Sequence, residues 1–523
     1  MENNQKVGKA AGAVGGMTLI SRLLGFIRDL VIAMQFGATA AADAFFVAFR
    51  IPNVQRKILG EGAVTAAFIP VFLEIRNQKG EQEAWKMTAN LFNILLTLLV
   101  TSSLALVLLA PFVIMVFAPG FIETPDKFDL TVLLTQWMAP YLLFIGLAVF
   151  CMGILNTHNV FALPALTPAL LNICMIGGAL LISPQLKEPI LGLAFGVLAG
   201  GMLQFAVQFP EVLRRGFRFT ASIQWKSAEV IKIGKLMIPV IFGLAVYELN
   251  MLVDTLLASM LDEGSISYLY YGNRLVQLPL GVFGVAVGVA ILPMLSGQAA
   301  NKEFSEMIKT IAFGIRFILF ITIPATVGLI LLRFPIVNTL WERGEFSRLT
   351  TEGTAIALLY YSMGLCAFCG IKVIAPAFYS LQDTKTPAKV GVYSMILNII
   401  LNLILMGPLQ HGGLALATSI AALFNVVLLI HFLRKRLGLM GGRKILSSMI
   451  KLFVASAIMG AVVYFFNDAF FDPSASLGLK IMILSADIGI GISLYALLSR
   501  FIQNEELVFL VELARKRGKQ TPA

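Results

Sequence analysis

The stretch GGMTLISRLLGFIRDLVIAMQFG (residues 15–37) is apolar over a length that crosses a bilayer, yet Arg22, Arg28 and Asp29 interrupt it. A charged side chain that faces lipid at the bilayer centre costs at least about 2.5–3.5 kcal/mol, so three would cost roughly 8–10 kcal/mol. Charged groups persist at this depth when they face a water-filled cavity or a partner. The stretch therefore predicts a membrane-spanning helix that lines a path for an anion.

The composition of the whole chain is that of an all-α polytopic membrane protein. Hydrophobic residues make up 58% of the 523 residues and charged residues 13%, whereas soluble domains carry about 25% charged residues. At roughly 35 residues for a span and its loop, the chain has room for about fourteen helices. The net charge of +11 is typical of the cytoplasmic loops of a membrane protein, so we predict no nucleic-acid binding.

Polar loops and Pro/Gly positions divide the apolar sequence into fourteen predicted spans. They cover approximately residues 12–37, 42–74, 87–118, 129–155, 163–183, 189–212, 233–258, 266–296, 309–340, 351–378, 388–407, 412–433, 446–467 and 476–501. The loops on the side of the N-terminus hold most lysines and arginines, and the opposite loops hold more acids. Cationic loops stay in the cytoplasm, so both termini are predicted to be cytoplasmic.

The two halves of the chain carry matching landmarks. Offsets of 225, 223 and 219 residues separate Asp29 from Asp254, Pro70 from Pro293, and Pro168 from Pro387. A duplicated six-helix unit predicts two lobes that are related by a pseudo-twofold axis along the membrane normal, with the substrate path at their interface. The predicted parts are an N-terminal lobe (1–215), an amphipathic cytoplasmic linker (216–235), a C-terminal lobe (236–436), two further helices (437–501) and a cytoplasmic tail (502–523).

Arginines from three predicted spans fall near the middle of the membrane when a rise of about 1.5 Å per residue is counted from the span ends. The cations of this region are Arg22, Arg28, Arg50, Arg56, Lys57 and Arg274, and the carboxylates are Asp29, Asp43 and Glu61. Guanidinium groups bind phosphate through paired hydrogen bonds. The excess of three positive charges therefore matches a diphosphate in a central cationic cavity. Structural ion pairs within the helix bundle are the alternative.

Motifs for catalysis or metal binding are missing from the sequence. Cys366 and Cys369 form a CxxC pattern, but no second pair accompanies it, so we predict small packing residues rather than a metal site. The sequence holds no nucleotide-binding loop and no Ser/His/Asp order. We therefore predict a transporter without a bound cofactor, not an enzyme.

Five motifs, taken together, resemble the MurJ family of lipid II flippases within the multidrug/oligosaccharidyl-lipid/polysaccharide (MOP) exporter superfamily. They are SRLLGFIRD (21–29), DAFFVAFRIPN (43–53), EGA (61–63), YYGNRL (270–275) and LPLGVFGVAVGVAILP (278–293). The resemblance implies fourteen helices in two lobes around a cationic cavity, in the bacterial inner membrane. It also implies alternating access that flips lipid II, an undecaprenyl-diphosphate-linked disaccharide-pentapeptide, from the cytoplasmic to the periplasmic leaflet.

The resemblance assigns roles by motif position. It implies headgroup contacts from Arg22, Arg28, Asp29, Asp43, Arg56, Glu61 and Arg274. It implies a cation site of Asp254, Asn398, Asn402 and Thr418, with the carbonyl of Leu414. Only Asp254 is ionisable in that set, so hydrogen bonding between helices is the alternative to sodium binding. The last two spans would hold the polyprenyl tail.

Other functions stay open at this point. A flippase for another polyprenyl-diphosphate-linked glycan shares the diphosphate chemistry but lacks this motif set. A cation-coupled drug antiporter of the same superfamily would have an acid-rich cavity, and an integral-membrane glycosyltransferase would need long outer loops. Besides lipid II and membrane lipids, proteins of cell-wall synthesis or division are the expected partners. Sodium or the membrane potential is the expected energy source.

Overall fold

The computed structural model describes residues 2–58, 64–509 and 512, and every regular element among them is helical. The helices α1 to α18 cover Glu2–Phe36, Ala40–Ile58, Val64–Lys79, Glu81–Phe117, Pro125–Met138, Tyr141–Thr157, Ala162–Gly177, Leu191–Arg214, Ala228–Ser259, Ser265–Pro279, Val285–Ala300, Phe304–Leu331, Arg333–Trp341, Arg348–Met363, Leu365–Ser380, Lys385–Leu437, Gly442–Phe470 and Leu477–Phe501. Short 3₁₀ or π segments occupy Pro119–Glu123, Gly178–Ile182, Ser183–Gln185 and Leu280–Gly284. The predicted all-α class is confirmed.

The surface of the helices is that of a membrane protein. Within the described residues, nine helical segments are long and apolar enough to cross a bilayer, and the pair α14–α15, bent by 41°, makes a tenth if it counts as one span. Leu108, Phe112, Phe465 and Ile492 are between 63% and 70% exposed. Many such side chains at a surface indicate contact with lipid rather than with water. The polytopic class is confirmed, and the count of fourteen spans stays a prediction.

The predicted spans 388–407 and 412–433 both belong to α16, whose 53 residues would be far too long for one crossing. The backbone of α16 leaves the helical region at Gln410, where φ is 50° and ψ is −136°. A Cβ atom on Gly413 would lie 2.2 Å from the carbonyl oxygen of Leu405, so the chain doubles back closely after the break. The break falls inside the predicted loop between the two spans.

The chain forms two compact units, Met1–Ile266 with Arg343–Phe346, and Ser267–Glu342 with Ser347–Ala523. The core of the first unit is rich in aromatic side chains, among them Phe68, Phe92 and Phe150. In the second unit, α17 and α18 pack against α12 through Phe320, Met459 and Tyr495, among others. Helix α9 groups with the first unit. The lobe boundaries drawn from the sequence repeat stay a prediction.

Two glycines fix the C-terminal end of α1 within the first unit. Gly37 (φ 54°) ends the helix, and a Cβ atom there would meet the carbonyl oxygen of Glu345 at 2.2 Å. Gly344 (φ 59°) approaches the carbonyl oxygen of Met34 equally closely, and the Glu345 N–H donates to that oxygen at 2.9 Å. Both sites need a residue without a side chain. The contact holds the helix that carries Arg28 in place at its end.

The first part of the predicted linker, residues 216–227, lies against α4 without regular structure, and residues 228–235 already belong to α9. The side chain of Asn90 makes a pair of hydrogen bonds with the backbone of Gln224, at 3.1 and 2.6 Å. Asn93 Nδ2 donates to the carbonyl oxygens of Thr220 and Ser222. The two side-chain amides thus provide hydrogen bonds for backbone groups of the linker, which are not paired within a helix or sheet. The amphipathic role of the linker stays a prediction.

Candidate substrate-binding site

Arg28 on α1 is held by two side chains of the first unit. Its Nε and Nη2 donate to Oδ1 of Asp29 at 3.0 and 2.6 Å, and its Nη1 donates to Oδ1 of Asn172 on α7 at 3.0 Å. Asp29 is fully buried, and the side chain of Arg28 is 12% exposed. A guanidinium with bonds on both edges has few accessible orientations, so this charge is positioned before any ligand arrives.

Asn172 is a site residue that the sequence interpretation missed. Its amide donates to the carbonyl oxygen of Ser21 at 3.1 Å while its oxygen accepts from Arg28. Ser21 and Arg28 are seven residues apart and therefore lie on the same face of α1. A single amide thus ties two turns of α1 to α7. An amide within an apolar run carries no charge signal, which is why the charged residues alone did not reveal it.

Arg56 lies on the wall of a cavity inside the first unit. The cavity has a volume of about 400 Å³, and Thr18 and Ser21 of α1, together with residues of α6, α7 and α8, complete its lining. Arg56 Nε donates to Oδ1 of Asn53 one turn earlier on α2 at 2.9 Å. Arg22, the neighbour of Ser21, is exposed. Thr18 and Ser21 of α1 therefore share one cavity with the cation Arg56 of α2.

Arg50 and Lys57 connect α2 to α9. Arg50 Nη1 donates to the carbonyl oxygen of Met251 at 3.1 Å and to the hydroxyl of Thr255. Lys57 Nζ lies 3.1 Å from Oε1 of Glu248, which is buried. Glu248 was absent from the charge count made on the sequence, because nothing in the apolar α9 sequence links it to Lys57.

Asp43 is part of a buried ion pair. Its Oδ2 accepts from Lys127 Nζ on α5 and from the backbone N–H of Gly264, both at 2.9 Å. Lys127 Nζ also lies 4.2 Å from the centre of the Phe121 ring. This is the structural ion pair that was weighed as the alternative to a ligand contact, and substrate binding by Asp43 stays a prediction. Lys127 adds a cation and Glu248 a carboxylate, so the two omissions from the charge count offset each other.

Two predicted headgroup contacts remain, Arg274 and Glu61. Arg274 lies on α10 in the second unit and is half-buried. Glu61 falls outside the described residues, between α2 and α3. The second unit also holds Tyr271, which is fully buried and packs against Trp341 with ring centres 5.2 Å apart. This packing anchors the α10 turn that precedes Arg274.

The predicted cation site is divided between the two units. In the second unit, Asn398 Nδ2 donates to Thr418 Oγ1 at 3.3 Å, and Asn402 Nδ2 donates to Asn398 Oδ1 at 3.0 Å. The Thr418 hydroxyl donates to the carbonyl oxygen of Leu414 at 2.9 Å. In the first unit, Asn250 Nδ2 lies 3.5 Å from Oδ2 of Asp254. Both the cation site and its alternative, hydrogen bonding between helices, stay predictions.

Comparisons with known proteins find one family that matches nearly the whole chain. The family model described as "Lipid II flippase MurJ" matches residues 32–484. A probable lipid II flippase MurJ of Vibrio cholerae is 39% identical over 495 residues, which cover 93% of this chain and 94% of that relative. The lipid II flippase MurJ of Burkholderia cenocepacia is 34% identical over 432 residues, which cover 82% and 84% of the two chains.

Solved structures show the same likeness. A lipid II flippase MurJ in an inward closed conformation matches with a TM-score of 0.80 and 29% identity, covering 94% of this chain and 99% of that one. An inward-facing MATE family multidrug resistance transporter of the MOP superfamily matches with a TM-score of 0.66, covering 82% and 98%. Its identity of 13% means that this second likeness concerns the fold alone.

Proposed function

The chain belongs to the MurJ family of lipid II flippases, and from this premise we propose that arginines of α1, α2 and α10 carry the diphosphate of the lipid headgroup. The protein is a multi-pass membrane transporter, not an enzyme, and its substrate is lipid II. The family match decides against the drug antiporter, the glycosyltransferase and the other glycan flippases that the sequence left open. We place the protein in the bacterial inner membrane with both termini in the cytoplasm.

The observation that carries the proposal is the anchoring of Arg28 within the stretch 12–37, which the sequence predicts to span the membrane. Asp29 lowers the cost of keeping the guanidinium at this depth, because an isolated charge in a low dielectric is far less stable than a paired one. Asn172 fixes the second edge of the guanidinium without cancelling its charge. Such a group binds a phosphate oxygen with little loss of side-chain entropy. Asp29 and Asn172 act as positioning residues for Arg28.

We infer a transport cycle of alternating access. The cavity open to the cytoplasm takes the diphosphate onto Arg28, Arg56 and Arg274, while the polyprenyl tail stays in lipid along α17 and α18. Neutralisation of the arginines by the diphosphate favours closure on the cytoplasmic side. Opening to the periplasm then releases the headgroup.

We propose that the membrane potential, rather than sodium, returns the empty cationic cavity to the cytoplasmic side. A potential of 100 mV does about 2.3 kcal/mol of work on each elementary charge that crosses the membrane. The potential would act on the excess of three positive charges among the predicted cavity residues.

A growth test addresses the proposal in cells. Arg28→Ala, Arg56→Ala and Arg274→Ala are expressed one at a time as the sole flippase, with membrane levels measured. We expect each variant to fail in cell-wall synthesis, because loss of a charge-assisted hydrogen-bond donor costs about 1.5–3 kcal/mol. Arg214→Ala is the matched control, since Arg214 is 79% exposed. Normal growth of all three variants at normal levels would overturn the assignment.

A further inference from the structure

Two buried glutamines line the same cavity as Arg56. Gln204 and Gln208 lie on α8 and are 3% and 1% exposed. Gln204 Nε2 donates to the carbonyl oxygen of Thr167 at 2.9 Å, and Gln208 Nε2 donates to the carbonyl oxygen of Gln204 at 3.1 Å. A carbonyl oxygen can only accept, so these bonds fix which end of each amide is the nitrogen.

The oxygen of each amide is left with an unused acceptor. Among the described residues, neither Gln204 Oε1 nor Gln208 Oε1 has a hydrogen-bond partner, and both atoms are buried. Buried polar atoms in native proteins almost always have a partner. Both side chains line one cavity, so their two unused acceptors point to donors that come from a ligand.

We propose that this cavity is the subsite for the sugar ring that is attached directly to the diphosphate. Sugar hydroxyl or acetamido N–H groups would donate to Gln204 and Gln208, and the apolar face of the ring would lie on Met152 and Phe161. The inference rests on the proposed function, because Arg56 on the cavity wall is one of the arginines that would hold the diphosphate.

Size and connectivity favour a single sugar ring. The cavity volume of about 400 Å³ lies at the lower end of the range of about 300–1,000 Å³ for small-molecule sites. A disaccharide with its peptide is therefore too large for it. With the diphosphate near Arg56, the first ring is the part of the headgroup that the linkage brings to the glutamines.

The test compares the binding of three probes to the full-length protein in lipid nanodiscs. The probes are undecaprenyl diphosphate, the same lipid with one N-acetylhexosamine, and lipid II. We expect Gln204→Met with Gln208→Met to weaken binding of the single-sugar lipid on the order of tenfold or more. Binding of undecaprenyl diphosphate should not change. Gln136→Met is the matched control, because Gln136 also donates to a backbone carbonyl oxygen but lies outside the cavity.

Three outcomes would overturn the subsite. Unchanged binding of the single-sugar lipid would mean that the glutamines do not contact the first sugar, and loss confined to lipid II would assign the cavity to the second sugar or the peptide. Equal loss for undecaprenyl diphosphate would mean a general disturbance. If the double variant does not fold, Ala165→Leu fills the cavity instead and should give the same selective loss. Arg56→Ala should weaken the binding of all three lipids. If it does not, while the glutamine variants behave as expected, the result counts against the proposed function and not against the subsite.

Discussion

Arg28 Nη1 donates to Oδ1 of Asn172 at 3.0 Å, which links the charged centre of α1 to an uncharged amide on α7. The other edge of the same guanidinium donates to Asp29 at 2.6 and 3.0 Å. The two partners differ in their effect on a phosphate ligand. Asp29 offsets part of the charge, whereas Asn172 holds the guanidinium and leaves its charge available.

We predict that Asn172→Asp lowers the affinity for lipid II more than Asn172→Ala does. The aspartate keeps an acceptor for Arg28 but adds a negative charge, so the guanidinium would be neutralised on both edges. A loss on the order of tenfold is expected for the aspartate. The measurement is a binding titration with purified variants of equal thermal stability. An unchanged affinity of Asn172→Asp would show that the net charge at Arg28 does not matter.

The Asp43–Lys127 pair gives a prediction on stability. Lys127→Met leaves the Asp43 carboxylate buried without its cation, and removing one member of a buried pair costs about 3–5 kcal/mol. Both side chains are at most 8% exposed, so little solvent screening reduces this cost. Adding Asp43→Asn should restore much of the lost stability, because the amide oxygen can still accept from Gly264.

Thermal unfolding of the two Asp43–Lys127 variants checks the prediction, and a flipping assay shows what Asp43 does. If Asp43 is structural, flipping by the double variant recovers together with its stability. A double variant that is stable but does not flip would instead support contact between Asp43 and the substrate.

The loop between α15 and α16 should contribute less to the stability of the fold in acid than at neutral pH. The backbone N–H of Thr386, then its hydroxyl and the guanidinium of Arg436, hold the pKa of Asp383 below its ordinary value of 3.8. A lowered pKa means that the carboxylate stabilises the fold above the ordinary value and that this stability is lost as the pH falls. We expect Asp383→Asn to lower the unfolding midpoint at neutral pH, and the difference from the parent to shrink below about pH 4.

Asp383→Asn should change the unfolding midpoint only modestly. The Arg436 side chain is 45% exposed, so solvent screens its interaction with Asp383. Unfolding midpoints of both proteins, measured from neutral pH into acid, test the sign. A difference that grows as the pH falls would contradict the assignment.

The hydrogen-bonded amides of α16 give a prediction on ions. If the membrane potential returns the empty cavity, replacing sodium by potassium at a fixed potential should leave the flipping rate unchanged. The measurement uses vesicles with the parent protein and with Asn402→Leu. A rate that falls without sodium in the parent, and a variant that no longer responds to sodium, would show that the site binds the cation.

Composition and hydropathy were sufficient to predict the membrane class, because a bilayer imposes a length and a polarity on every span. The predicted span 446–467 lies within α17, and α18 covers the predicted span 476–501 except for its first residue. The sequence also marked Arg28 and Asp29, since charge inside an apolar stretch has few explanations.

Partners from distant parts of the chain could not be predicted in the same way. Lys57 and Glu248 are 191 residues apart, and no local period connects them. Lys127 was assigned to an outer loop, yet it is buried beside Asp43. For Gln204 and Gln208 a signal did exist: glutamines four residues apart share one face of an apolar helix.

The most direct test of the account is lipid II flipping by Arg28→Ala in vesicles that contain only this protein. We predict a rate at least about tenfold below that of the parent, because the proposal makes the anchored guanidinium a direct contact with the diphosphate. Arg214→Ala, which changes an exposed arginine at the end of α8, should flip at the parent rate. If folded Arg28→Ala protein flips lipid II as fast as this control, the guanidinium is not the headgroup site.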